Sequence, residues 1–141
     1  MVKMANALAP RARIGDTEKL TINLGVVDLG QIDLLVEEGF YSNRTDLIRT
    51  AVRNQLTVHA DAVKHSVSRR TLMLGLRHVG RDELEQLKAD GRTLDLRVVG
   101  LARIDDAVSA PLARATIKSV MVLGAFEASP AVKKALADRI A

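Results

Sequence analysis

Lys19-Leu20-Thr21-Ile22-Asn23-Leu24 is the stretch whose reading decides the fold. In an extended segment successive side chains point to opposite sides, so Leu20, Ile22 and Leu24 share one face while Lys19, Thr21 and Asn23 share the other. A lone strand of this kind has two unpaired edges and one apolar face. It gains stability by pairing with a copy of itself about a two-fold axis. Beyond it an amphipathic run reaches Gly39, and Ser42-Asn43-Arg44-Thr45-Asp46 opens a second run that ends at Leu56. One short strand and two short helices cannot bury their own apolar residues.

The local signals divide this stretch further. Asp28 followed by Gln31 has the spacing of a capping box, and Leu29, Ile32, Leu35 and Val36 recur at helical intervals. Gly39 stands where a left-handed C-cap belongs, so a first helix is expected from about Asp28 to Glu38. Its polar face carries Asp33, Glu37 and Glu38, expected to turn away from any phosphate backbone. Ser42 or Asn43 supplies the next N-cap, and Leu47, Ile48, Ala51, Val52 and Leu56 form the second apolar stripe. That stripe continues through Ala60, Val63 and Val67, which predicts one long second helix. Gly30 inside the first helix costs about 1 kcal/mol relative to alanine, and close backbone packing between two copies would account for it.

A strand, a capped helix, the Gly39-Phe40-Tyr41 turn and the Ser-Asn-Arg-Thr-Asp helix opening resemble the ribbon-helix-helix family of Arc-, MetJ- and CopG-type repressors. The resemblance covers residues 19–56. Gly25-Val26-Val27 departs from it, standing where a proline-containing link is usual. The resemblance implies an intertwined dimer whose two strands form an antiparallel ribbon in the DNA major groove. It further implies that Lys19, Thr21 and Asn23 face bases, and that Ser42, Asn43 and Arg44 hold a phosphate at the start of the second helix. The residue types suit those roles: Lys donates to guanine, Asn pairs bidentately with adenine, and Thr offers a hydroxyl and a methyl.

Charge does not mark this module as a nucleic-acid binder. Residues 1–56 hold seven Lys/Arg against seven Asp/Glu, whereas residues 57–141 hold fourteen against ten, so the whole excess of +4 lies outside the module. Binding through it must therefore rest on where charges point. Residues 1–18 read as a flexible basic arm, and Arg11 and Arg13 are its candidate phosphate or groove contacts. Aromatics are 2% of the chain, too few for the stacking platforms of single-stranded nucleic-acid binders.

The remainder divides into a helical extension or linker over residues 57–70 and a C-terminal domain over residues 71–141. Three strand-like runs, Thr71 to His78, Leu94 to Arg103 and Ile117 to Phe126, alternate with helix-like runs at Arg81 to Ala89, Asp106 to Ala113 and Pro130 to Ala141, of which Asp106 to Ala113 is short and contains Pro111, so that a turn and a single helical turn is its other reading. Alternation of this type favours right-handed crossovers and a parallel sheet. Leu72, Leu96 and Val120 are 24 residues apart, as are Leu74, Val98 and Val122; Leu84, Val108 and Val132; and Ala89, Ala113 and Ala137. A three-fold strand–helix repeat is one reading of that spacing, and an evenly spaced α/β segment is the other. Gly75, Gly100 and Gly124 lie within the strands without forming a phosphate loop, and bulges or close packing explain them. The overall fold class expected is α+β.

These features point to a sequence-specific DNA-binding transcriptional regulator, most simply a repressor. Its partners would be an operator in double-stranded DNA and further copies of the chain, as a dimer and then as tetramers or larger arrays through the C-terminal domain. The competing reading is a protein-interaction module, an antitoxin or assembly scaffold, whose C-terminal half binds a partner or self-assembles. No nucleophile–base pair, phosphate loop or carboxylate pair is present, so no enzyme is expected. Cysteine is absent and His59, His65 and His78 form no ligand set, so neither a metal nor a cofactor is expected. The chain lacks a bilayer-length apolar run and an apolar secretory leader, which gives a cytoplasmic expectation.

Overall fold

The computed structural model describes residues 17–141, which divide into two compact units, one of Lys19–Ser66 and the other of Val67–Ala141 together with residues 17–18. Helices and strands mix in the α+β manner. Arg11 and Arg13, and almost all of the expected arm, lie outside the described residues.

In the first unit α1 spans Val26–Glu37 and α2 spans Arg44–Val58. α3, Ala60–Arg69, follows after His59. The expected strand over Lys19–Leu24 is not formed within the single chain, where residues 17–25 carry no regular structure. A strand is a pairing, and the only strands among the described residues pair with one another in the second unit. The expected Asp28–Gln31 capping box is also absent. α1 begins two residues earlier with Gly25 at its N-cap and no side-chain cap, and the Gln31 amide donates instead to the Val27 carbonyl at 3.4 Å. Asp28 remains in the first turn, where its charge favours the helix N-terminus.

The end of α1 follows its glycine. Gly39 has φ +87°, and the Gly39 and Phe40 N–H groups donate to Val36 O and Leu35 O at 3.0 and 2.9 Å. This is the Schellman pattern, which satisfies carbonyls that the helix leaves open. α2 opens on Asn43, whose side chain accepts from the Asp46 N–H at 2.8 Å, while Asp46 in turn accepts from the Ser42 N–H at 2.9 Å. The long second helix is interrupted at His59, which has φ −98° and ψ 12°. Thr57 Oγ1 donates back to Arg53 O at 3.0 Å, a bond that bends helices at their β-branched residues.

The second unit holds the core. β1 (Met73–Val79), β2 (Leu94–Ile104) and β3 (Ile117–Glu127) form a parallel sheet in the order β1-β2-β3. α4 (Arg81–Ala89), α5 (Ala110–Thr116) and α6 (Pro130–Ala135) each follow one strand. Leu84, Leu112, Ala113, Val132 and Leu136 from the helical layer meet Val79, Leu96, Val98, Ala102, Ile104 and Val120 from the sheet in one cluster. All three helices therefore cover the same face of the sheet.

One expected helix is displaced and another is cut short. The segment expected as Asp106 to Ala113 folds instead with Asp105 accepting from the Ala107 N–H at 2.8 Å, and the helix begins after Ser109. Pro111 is the reason: proline is tolerated in the first turn and not in the interior, so the helix starts beside it. At the other end α6 stops at Ala135, a 3-10 turn covers Ala137–Arg139, and Ile140 bridges to Val120 in parallel.

The strand register corrects part of the 24-residue spacing. Between β2 and β3 the step is 24 residues, with Leu96 opposite Val120 and Val98 opposite Val122. Between β1 and β2 it is 25, so Val98 faces Met73 and Leu74 faces Val99. Leu84, Val108 and Val132 are all buried in the same core, but of Ala89, Ala113 and Ala137 only Ala113 is. The register that results aligns Gly75, Gly100 and Gly124 in one row across the sheet. Their φ values are +132°, +137° and +121°, and a Cβ on Gly100 would fall 2.2 Å from the Gly75 carbonyl oxygen. Close packing, one of the two sequence explanations, is what these glycines provide.

Candidate nucleic-acid interface

Lys19, Thr21 and Asn23 are exposed, as the base-facing role requires. The intervening residues are exposed too: Leu20 by 83%, Ile22 by 53% and Leu24 by 41%. Strict alternation in sequence thus has no matching alternation in burial, because none of the described residues covers the apolar side. The same holds throughout the unit. No residue of α1, α2 or α3 is buried, and Val26, Val27, Leu34, Phe40, Val52, Leu56 and Val58 are all exposed.

The start of α2 brings Ser42, Asn43 and Arg44 together. Asn43 is committed to the Asp46 N–H and the Ser42 N–H to the Asp46 carboxylate, while the Arg44 and Thr45 N–H groups find no acceptor among the described residues. Open N–H groups at the positive end of a 15-residue helix suit an anion. Asp46 places a carboxylate in the same turn, so an incoming phosphate must be held beside a negative charge.

Arg44 does not project freely. Its Nε and Nη2 donate to the two Asp33 carboxylate oxygens at 2.7 and 2.8 Å. The bidentate bond to Arg44 holds the Asp33 carboxyl below its ordinary range, and the same bond raises the guanidinium. Asp33 was expected to turn away from the phosphate-binding region; instead it is tied to the first residue of α2. Sequence reading missed this because the partners are 11 residues apart across a turn, a spacing for which no local rule exists. Both side chains remain about half exposed, so the pair is of the weak, exchangeable surface kind.

A second polar group gathers at the C-terminal ends of the strands, where open parallel sheets bind ligands. His78, Arg103, Asp105, Asp106 and Glu127 line a shallow cavity of about 320 Å³. Arg103 Nε donates to Glu127 at 2.8 Å and His78 Nε2 lies 3.6 Å from Asp105. Arg103 and Glu127 are thereby paired within the group. Among the described residues no three His, Asp or Glu side chains gather as a metal site, and no helix is long and apolar enough to cross a membrane.

No curated protein and no solved structure matches the chain. The model of the Ribbon-Helix-Helix transcriptional regulator family matches residues 15–133, which takes in the Lys19–Leu24 stretch, both helices that follow it and most of the three-stranded unit. With that match extending over most of its length, the chain belongs to the ribbon-helix-helix transcriptional regulator family.

Proposed function

We propose that this protein is a sequence-specific DNA-binding regulator, most simply a repressor, that works as an intertwined dimer. The Lys19–Leu24 segments of two copies pair as an antiparallel ribbon in the major groove, with Lys19, Thr21 and Asn23 toward base edges. Ser42, Asn43, Arg44 and the open N–H groups of α2 hold the flanking phosphate, and Arg11 and Arg13 add contacts from the arm. The C-terminal unit joins dimers on adjacent half-sites. The observation that carries this reading is a unit of a DNA-binding family in which no apolar residue is buried by its own chain. A second copy supplies the missing core, and the polar row of the ribbon is thereby turned outward.

Two outcomes test the contacts. Thr21→Ala and Asn23→Ala each weaken binding to the preferred DNA by about 1–3 kcal/mol, with dimer mass and binding to unrelated DNA little changed. Gel-shift titration against both DNAs reads this directly, and an equal loss on both would remove base reading from these residues. Asp33→Asn releases Arg44 and deletes a carboxylate beside the phosphate. It should tighten DNA binding and steepen the plot of log affinity against log salt by about 0.9 per added phosphate contact. Unchanged or weaker binding would mean that Arg44 acts by bracing α1 against α2.

A further inference from the structure

We propose that the open face of the three-stranded sheet docks against the same face of a second copy of this chain, with the two sets of strands antiparallel about a two-fold axis running across them. The proposal rests on the reading of the C-terminal unit as an assembly module, and it names the surface and its geometry.

The face is defined by the core on the other side. Val98, Ala102 and Ile104 of β2, Val79 of β1, and Val120 and Val122 of β3 point into the helical layer. The alternate residues therefore line the opposite face, and the register sets them in rows: Leu74, Val99 and Leu123, then Leu76, Leu101 and Ala125. Among the described residues no helix of the unit covers them, although Leu101, in the middle of the second row, is itself only 7% exposed. Leu74 is 61% exposed, Leu123 48% and Leu76 42%, on a parallel sheet, a type normally buried on both faces. A contiguous aliphatic sheet face of this kind marks an interaction surface.

Charge selects a second copy and fixes its direction. The end of the face where the strands begin carries two arginines against one carboxylate: Arg70, Arg97 and Asp95. Arg97 donates to the Arg70 carbonyl, at 3.2 and 2.8 Å, and Arg70 reaches Met121 Sδ at 3.6 Å, so among the described residues neither guanidinium is paired with an acid. The opposite end carries one arginine against two carboxylates, Arg103 with Glu127 and Asp105 beside His78. An antiparallel two-fold brings the basic end of each copy over the acidic end of the other and superposes the aliphatic rows in between. A parallel arrangement would set like ends together. Sheets packed this way are about 10 Å apart, with side chains of both faces interdigitated. On this axis β3 lies over β3 and Leu123 lies close to its counterpart.

The chain contains no cysteine, so a single Leu123→Cys substitution in the full-length protein is a clean probe. Maleimide labelling of the introduced thiol should be roughly tenfold or more slower than in the same protein carrying Leu74→Glu and Leu76→Glu, which opens the face. A short bismaleimide should convert the first protein, and not the second, to a covalent dimer. Equal labelling rates overturn the proposal, and so does protection without cross-linking, which would place some other segment on the face. Sedimentation of the Leu123→Cys and wild-type chains separates this from the broader reading. Mass above a dimer with the thiol freely reactive overturns this surface while higher assembly stands. Protection and cross-linking at the mass of a dimer support the surface and overturn higher assembly.

Discussion

Gly100→Ala should be among the most damaging single substitutions in the chain, lowering the stability of the C-terminal sheet by about 3–5 kcal/mol. Two effects combine. At φ +137° the backbone lies in a region that side chains with a Cβ scarcely enter, and the added carbon would sit 2.2 Å from the Gly75 carbonyl oxygen. That oxygen belongs to a paired neighbouring strand, so it cannot retreat without breaking the ladder. Gly124→Ala should behave alike, with its Cβ 2.1 Å from Gly100 O. Gly91 is the control, because it has φ +65° and nothing within 4 Å, so alanine there costs only about 1 kcal/mol. Native-state hydrogen exchange of the β2 and β3 amides measures all three locally. If Gly100→Ala costs no more than Gly91→Ala, the close approach of the strands is not what the glycine row serves.

Ile22→Asp should abolish dimer formation and with it the folded state of the first unit and all specific DNA binding, while the C-terminal sheet stays intact. Among the described residues the buried apolar ones run from Val79 to Leu136, and none lies in α1, α2 or α3. A fully buried Ile, Leu or Val side chain contributes about 1.5–3 kcal/mol, and in the proposed dimer each position counts twice. An aspartate at this position would instead put two carboxylates in the shared ribbon core, where their desolvation is uncompensated. Hydrogen exchange in α1 and α2, beside sedimentation mass, distinguishes the outcomes. Wild-type stability of this unit should also rise with protein concentration, as it does when folding and association are one step. Retention of mass and helix protection in Ile22→Asp would show that the ribbon is not the dimer core.

What could be read from the residues depended on whether the determining contacts were local. α4 begins after Gly80, with Asp82 and Glu83 in its first turn, and its bounds of Arg81–Ala89 follow from signals within a dozen residues. The Gly39 cap and the Asn43 cap were legible for the same reason. α5 starts at Ala110 rather than Asp106 because Pro111, already the ground for reading a turn and a single helical turn there, decides where the helix begins. The 25-residue first step was hidden because Leu and Val recur often enough to match at 24, and only the glycine row fixes the register. Nothing local could reveal the Asp33–Arg44 pair or the uncovered sheet face, since each depends on how separate elements meet. The polar row Lys19, Thr21 and Asn23 was plain in the sequence, yet the proposed partner strand belongs to a second copy.

Whether Lys19, Thr21 and Asn23 read DNA sequence is decided by selecting bound fragments from genomic DNA with the full-length chain. Wild-type protein should enrich one short half-site in inverted or tandem repeats, and Asn23→Ala of the same mass should lose that enrichment while still retaining DNA at low salt. Failure of the wild-type chain to enrich any sequence, or enrichment of the same half-site by Asn23→Ala with equal strength, would contradict base reading by this row.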